Sequence, residues 1–151
     1  MMTLYFAHNF NDRIKFRKLE LLLEKELGIE LFNPFYDEVT RTEEMNLIDN
    51  LNGDKKQHEW CIVNSKDLVR RDLKNLAKCD GLFTIISSPS IGTTLEIANA
   101  TLMKKPVYVI SPKYYDHPWI IEYATARFET LSEFKKIFPV FIKEKLEKSY
   151  E

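Results

Sequence analysis

Gly81-Leu82-Phe83-Thr84-Ile85-Ile86-Ser87, followed by Ser88-Pro89-Ser90-Ile91-Gly92-Thr93-Thr94-Leu95-Glu96-Ile97-Ala98-Asn99-Ala100, decides how the rest of this chain is read. The first seven residues are apolar on both strand faces, as in a parallel sheet covered on each side. Ser-Pro-Ser-Ile-Gly is a tight loop, and Thr93 or Thr94 then opens a helix running to Met103. Residues 106–110 (PVYVI) supply the next strand. A strand, a helix and a second strand at this spacing form the crossover unit of a parallel α/β sheet.

Upstream, residues 3–7 (TLYFA) predict a strand, and residues 11–27 a helix with Phe16, Leu19, Leu22, Leu23 and Leu27 on one face. Asn11 or Asp12 is its cap and Gly28 its stop. Residues 29–32 read as a second strand, broken by Asn33-Pro34. Residues 36–64 carry a weaker pattern, with polar LNGDKK after EEMNLIDNL, and a connection this long is expected to be functional or mobile. Asn64 or Ser65 caps a helix to Lys78 with Val69, Leu73 and Leu76 as its apolar line. Downstream, a short strand near Arg127 or Phe128 feeds a helix with Phe134, Ile137, Phe138, Phe141, Ile142 and Leu146 inward. The sum is a single three-layer α/β domain over residues 1–151, flavodoxin- or Rossmann-like, with a mostly parallel sheet. Ligands of such sheets sit beyond the carboxyl ends of the strands, so the loops at 7–13, 33–37, 87–94 and 111–119 matter most.

Composition excludes several classes. A chain of 151 residues buries about 70% of its unfolded surface and needs no metal or disulfide to hold a core. Lys and Arg number 22 against 23 Asp and Glu, for a net charge of −1, which argues against a nucleic-acid footprint. No stretch nears the roughly 20 apolar residues of a membrane span. The opening MMTLYFAHNFND has no basic leader or apolar signal run, and Cys61 and Cys79 are too far apart for a CxxC pair. A cytoplasmic protein is expected, with no nucleic-acid or membrane partner. His8, His58 and His117 show no ligand spacing, so no metal is expected. There is no Walker or GxGxxG loop behind a cofactor, no G-x-S-x-G elbow and no Cys–His signature.

The chemistry gathers at residues 87–100. Ser87, Ser88, Ser90 and Thr93 bring hydroxyls to a helix start, Gly92 turns the loop, and Glu96 adds a carboxylate one turn on. Amides at such a start can hold an anion or a sugar oxygen. Two readings of Glu96 stand level. Thr93-x-x-Glu96 is a capping box, in which the carboxylate bonds back to a backbone amide. Alternatively, Glu96 points into the strand-end crevice, where a partly desolvated carboxylate can act as nucleophile. Asp72, beside Arg70 and Arg71, reads by itself as a surface residue. Tyr5 is either a plain sheet residue or a hydrogen-bond partner for a carboxylate.

In order and spacing, these pieces resemble the nucleoside 2-deoxyribosyltransferase family, together with the related 2'-deoxynucleoside 5'-monophosphate N-glycosidases. They are Tyr5-Phe6-Ala7, Arg13, Asp72, Asp80-Gly81-Leu82-Phe83, Ser90 to Glu96, Ala98-Asn99-Ala100 and Lys105-Pro106-Val107, which span residues 3 to about 110. The resemblance implies that Glu96 is the nucleophile, that Tyr5 orients it, and that Asp72 contacts the base or assists its protonation. Ser90, Gly92, Thr93, Ser88, Arg13 and Trp119 are the expected substrate contacts. The implied reaction is deoxyribosyl transfer between nucleobases through a covalent deoxyribosyl-glutamate, with a nucleoside or nucleotide and a nucleobase as small-molecule partners. Hydrolysis of 2'-deoxynucleoside 5'-monophosphates is the alternative, and a non-catalytic nucleotide-sensing domain a third. Ser90 stands where the transferases carry Asp, and a serine there suits a 5'-phosphate. Against that, His8-Asn9-Phe10-Asn11-Asp12-Arg13 lacks the glycine- and arginine-rich phosphate loop of the hydrolases, and Thr93-Thr94 is nearer the transferases. The family also implies a homodimer or larger homo-oligomer with shared active sites, to which residues 114–123 (YYDHPWIIEY) would contribute.

Overall fold

The computed structural model describes residues 1–38, 59 and 62–148. Most of the expected insert at 36–64 thus lies outside the described residues, as do His58 and Cys61. The described elements are β1 (Thr3–Ala7), a 3-10 turn (Phe10–Asp12), α1 (Arg13–Leu27), β2 (Glu30–Phe32), α2 (Ser65–Lys78), β3 (Gly81–Ile85), α3 (Ile91–Leu102), β4 (Val107–Ile110), α4 (Pro118–Tyr123), β5 (Ala126–Phe128) and α5 (Leu131–Lys148).

The five strands form one parallel sheet in the order β2-β1-β3-β4-β5. Strand residues alternate between faces, so each strand feeds two cores. On one face Leu4, Phe6, Phe83, Tyr108 and Phe128 meet Phe16 and Leu23 of α1 and Phe134 and Phe138 of α5. On the other Tyr5, Ala7, Leu82, Val107 and Val109 meet Leu76 of α2 and Ile97 and Ala100 of α3. This is the expected three-layer α/β domain. The chain leaves β1 toward β2 and leaves β3 toward β4, in opposite directions, so the crevice between the β1 and β3 ends is the switch point where ligands bind in such sheets.

Several inward assignments change. Leu22, Val69 and Phe141 are exposed, while Glu20, unassigned from sequence, is fully buried on α1 beside Phe16 and Leu23. Helical period alone leaves roughly 100° of choice for the buried stripe, and the sheet contact selects within it. The side chain of Leu146 lies outside what is described. Gly28 ends α1 in the left-handed region (φ 64), with its N–H bonded to the carbonyl of Glu24, as a C-terminal glycine should. Asp12, one of the two expected caps of α1, makes no cap bond and instead accepts from Ser87 Oγ at 3.2 Å.

Candidate active site

The loop after β3 ends at Ser90, which caps α3: its Oγ accepts from the amide of Thr93 at 3.3 Å. The helix therefore begins at Ile91, two or three residues before the expected start at Thr93 or Thr94. That shift decides the role of Glu96. Thr93 is the third helical residue and Glu96 the sixth, so the expected Thr93–Glu96 capping box does not form; Ser90 does the capping. Helical side chains tilt toward the N-terminus, and Glu96 Oε1 accordingly lies over the first turn, 3.8 Å from where a Cβ on Gly92 would be. Its other oxygen, Oε2, is closed off from solvent. A carboxylate turned toward a helix start is stabilised by the aligned amides there.

Tyr5 is the third residue of β1 and is fully buried with its ring stacked on Phe32 at 6.0 Å between centroids. Its side chain is on the α2/α3 face and its hydroxyl is buried. Asp72 is half-buried, one turn ahead of the buried Leu76 on α2, and so shares that helix's inward line rather than lying on the surface. Tyr5, Asp72 and Glu96 thus come from three elements, β1, α2 and α3, that meet on one side of the sheet.

A cavity of about 470 Å³ opens on the other flank of α3. At about 100° per residue, Thr93, Ile97 and Ala100 face the sheet, Thr94 and Ala98 project toward α4, and Glu96 projects to the opposite side. Thr94 and Ala98 line the cavity; Glu96, Tyr5, Asp72, Gly92 and Arg13 do not. Of the expected substrate contacts, Ser88, Ser90, Thr93 and Trp119 are on its wall. Arg13, by contrast, folds over the ring of Phe10 at 3.8 Å and donates to the Phe10 carbonyl. The walls are mainly apolar, with Ile86, Val109, Ile120 and Tyr123, while polar groups collect at the α3 start.

Loop-to-loop bonds hold this rim. Asn9 Nδ2 donates to Ser88 Oγ at 3.5 Å, tying the β1 loop to the β3 loop. Ser111 Oγ donates to the Ile86 carbonyl and accepts from the Tyr114 amide, both at 3.0 Å, tying the β4 loop to the β3 loop. His117 Nδ1 caps α4 by accepting from the Trp119 amide, and Arg127 anchors the preceding turn through the Tyr115 carbonyl at 2.6 Å. Asn9, His117 and Tyr123 also line the cavity; Asn9 lies in a strand-end loop with no expected contact role, while His117 and Tyr123 fall in the 114–123 stretch expected to contribute to shared sites.

A second polar cluster lies under the β1 and β2 ends, on the α1 side. Asn33 Oδ1 accepts from the Phe35 amide at 3.0 Å, which orients the amide group. Its Nδ2 then donates to Glu20 Oε2 and to His8 Nε2, the latter at 3.0 Å. His8 Nε2 must accept, so the ring proton is on Nδ1, which donates to the Asn9 carbonyl at 2.9 Å. Arg17 pairs with Glu20 and, at 3.5 Å, with Asp37. Burial pushes the Glu20 carboxyl up to about 7, against the lowering effects of Asn33 and Arg17. The cluster thereby holds the residue preceding the 3-10 turn, Asn9, in place.

Two solved structures share this architecture. The chain is similar to the 2-deoxyribosyltransferase of Bacillus psychrosaccharolyticus, with a TM-score of 0.59 and 23% identity over 88% of this chain and 90% of that one. It is also similar to the CMP N-glycosidase of Clostridium botulinum, with a TM-score of 0.51 and 16% identity over 92% of this chain and 98% of that one. The chain therefore folds as nucleoside 2-deoxyribosyltransferase family members do. No protein-family model matches the sequence, and no curated protein does. Among the described residues, no helix is long and apolar enough to cross a membrane.

Proposed function

We propose that this protein is an enzyme that cleaves the N-glycosidic bond of 2'-deoxynucleosides and passes the deoxyribosyl group to another nucleobase. The observation that carries this reading is the setting of Glu96. It is not consumed by capping, its inner oxygen is buried, and its outer oxygen lies over the first turn of α3 at the switch point. Tyr5 of β1 and Asp72 of α2 belong to elements that pack on the same side of the sheet as α3, and the fold is one that a deoxyribosyltransferase and an N-glycosidase both use.

In the proposed reaction, Glu96 attacks C1', the C1'–N bond breaks, and the base departs with a proton delivered on the Asp72 side. A nitrogen of the second base then attacks C1', the C1'–O bond to Glu96 breaks, and that base's proton returns to Asp72. The ionised carboxylate both stabilises the oxocarbenium-like transition state and bonds to it. The reading extends to a second copy of this chain, packed against α3 and α4, as the partner that completes the pocket.

Hydrolysis of a 5'-monophosphate is a second reading, favoured by Ser90. As cap its Oγ accepts from Thr93, leaving the hydroxyl proton to donate to a phosphate oxygen at the mouth of the cavity.

A chromatographic assay of the four deoxynucleosides and their 5'-monophosphates, each with and without a free acceptor base, decides between them. A new nucleoside formed only with acceptor is the expected result. Free base released from monophosphates without acceptor replaces it with the hydrolase. The Glu96→Ala protein is expected to be folded and inactive, and near-normal turnover by it removes the proposed mechanism.

A further inference from the structure

Glu20, Asn33 and His8 are all buried, and a run of hydrogen bonds joins them to the rim of the cavity. Asn33 gives one amide proton to Glu20 Oε2 and the other to His8 Nε2, while its oxygen accepts from the Phe35 amide. Turning that amide over would break all three bonds. His8 Nδ1 donates in turn to the Asn9 carbonyl at 2.9 Å. Asn9 Oδ1 accepts from the Asn11 amide at 3.1 Å, which turns its Nδ2 toward Ser88 Oγ, 3.5 Å away on the β3 loop. Asn9 and Ser88 both line the cavity. The His8 ring sits among Phe6, Phe16 and Phe35, with centroids 4.8, 5.4 and 5.0 Å away. In such apolar surroundings a lost hydrogen bond is costly to replace.

The far end of this run is ionisable. Arg17, on the same helix, pairs with Glu20 and with Asp37, and its guanidinium lies over the Tyr36 ring at 4.9 Å. Asp37 also accepts from the Asn33 backbone amide at 2.7 Å. Further along α1, Glu24 accepts from the Leu31 amide of β2, and Glu26 pairs with Lys135 of α5. Glu20 is thus faced by Arg17, by Asp37 and, through Asn33, by His8. Burial brings its carboxyl up to about 7, so both forms are populated near neutral pH. The ionised form is the better acceptor, since a charge-assisted hydrogen bond is roughly twice as strong as a neutral one. The protonated form instead brings an O–H to a place where Arg17 and Asn33 already donate. With the Asn33 bond weakened, His8 Nε2 is no longer fixed as an acceptor. A ring whose proton leaves Nδ1 for Nε2 then turns a lone pair toward the Asn9 carbonyl.

We propose that Glu20, Asn33 and His8 are positioning residues for the cavity rim: ionisation of Glu20 locks the Nδ1–H form of His8, which holds Asn9 toward Ser88 and tightens the rim on a deoxynucleoside. The inference rests on the reading that this rim, with Ser88 and Ser90, takes the substrate. Its direction differs from that of a merely structural cluster. The buried charge costs stability, so an anchor with no other role would bind ligand more weakly as pH rises. The coupling through His8 makes binding tighter.

The test uses the full chain carrying Glu96→Ala, so that ligand is bound without turnover, with and without Glu20→Gln. Nitrogen NMR of histidine-labelled protein reads the ring protonation, and a His8→Gln protein assigns the signal. The Nδ1–H form is expected to dominate at pH 8 and to give way by pH 6 to the Nε2–H or doubly protonated ring. Glu20→Gln is expected to remove that change. Calorimetric titration with thymidine is expected to show binding about 5-fold tighter at pH 8 than at pH 6, and equal at the two in Glu20→Gln. A His8 signal that is the same at pH 6 and pH 8 overturns the proposal, and needs no Glu20 variant to do so. Binding that weakens toward pH 8, or a pH dependence kept by a folded Glu20→Gln protein, overturns it as well. Failure of both thymidine and its 5'-monophosphate to bind at either pH defeats the functional reading instead, while the histidine spectra still decide the coupling of Glu20 to Asn9.

Discussion

Glu20 shows what a single buried acid does to this protein. Its carboxyl is pushed up from the ordinary 4.5 to about 7, mainly because burial disfavours the charged form. For an acid shifted upward, the folded state holds the proton that the unfolded chain has released. Below about pH 4.5 both states are protonated and nothing changes. Between 4.5 and 7 stability drains away as pH rises, and above 7 the full penalty of ~3 kcal/mol is in force. Glu20→Gln removes the titration at the cost of one acceptor for Arg17 or Asn33. Urea midpoints at pH 5 and pH 8 are expected to fall further in the wild type than in the variant. Parallel curves for the two proteins remove this account. Glu20 does not stand out in the sequence, and its partner Asn33 is marked there only as the breaker of β2 and the start of a strand-end loop. Both lie in stretches whose apolar neighbours dominate the pattern, and only the fold brings α1 under the end of β2.

At the scale of elements, α3 matters most, and it starts two or three residues ahead of the Thr93 or Thr94 that the pattern suggests. Thr93 and Ser90 are both residue types that cap helices. What selects Ser90 is the end of β3 at Ile85, which brings the chain over the sheet edge with just enough residues to begin the helix at Ile91. With that start, Glu96 is set free of the cap. The other end of the unit is constrained by contact rather than by capping. A Cβ on Gly81, the first residue of β3, would sit 2.8 Å from the Pro106 carbonyl oxygen and 2.9 Å from its Cγ. The first of these is backbone and cannot swing away. Gly81→Ala is therefore expected to destabilise the fold by roughly 1–3 kcal/mol, as overpacking does, read as a lower urea midpoint at unchanged slope. A variant as stable as the wild type shows that β3 and the Pro106 turn can separate at little cost.

At the scale of the whole molecule, the outer face of α3 bears on assembly. Ile91 (83% exposed), Leu95 (57%) and Leu102 (81%) follow one another at helical spacing, and Trp119 of α4 (66%) lies exposed nearby. Glu96 is the one charged residue among the twelve of α3, in a chain that is 30% charged. Such a seam suits a second helix better than water. The proposed homo-oligomer makes a direct prediction: wild-type protein sediments as a dimer or larger, and Leu95→Glu with Leu102→Glu shifts it toward monomer without altering the melting of the monomer fold. A wild type that is monomeric at tens of micromolar ends that proposal.

Strand and helix alternation, the Gly28 stop and the pairing of 81–87 with 106–110 were legible from residue pattern, because burial on both strand faces and helix-stopping chemistry act over a few neighbours. Glu96, Ser90 and Tyr5 could be singled out because their kinds and order along the chain carry chemistry. Tertiary structure decided the rest. It separated the cavity from Glu96 on opposite flanks of α3, turned Arg13 onto Phe10, and buried Thr84, Thr93 and Glu20. Which flank of a helix meets a crevice depends on where residues dozens of positions away pack against it, and no local periodicity contains that information.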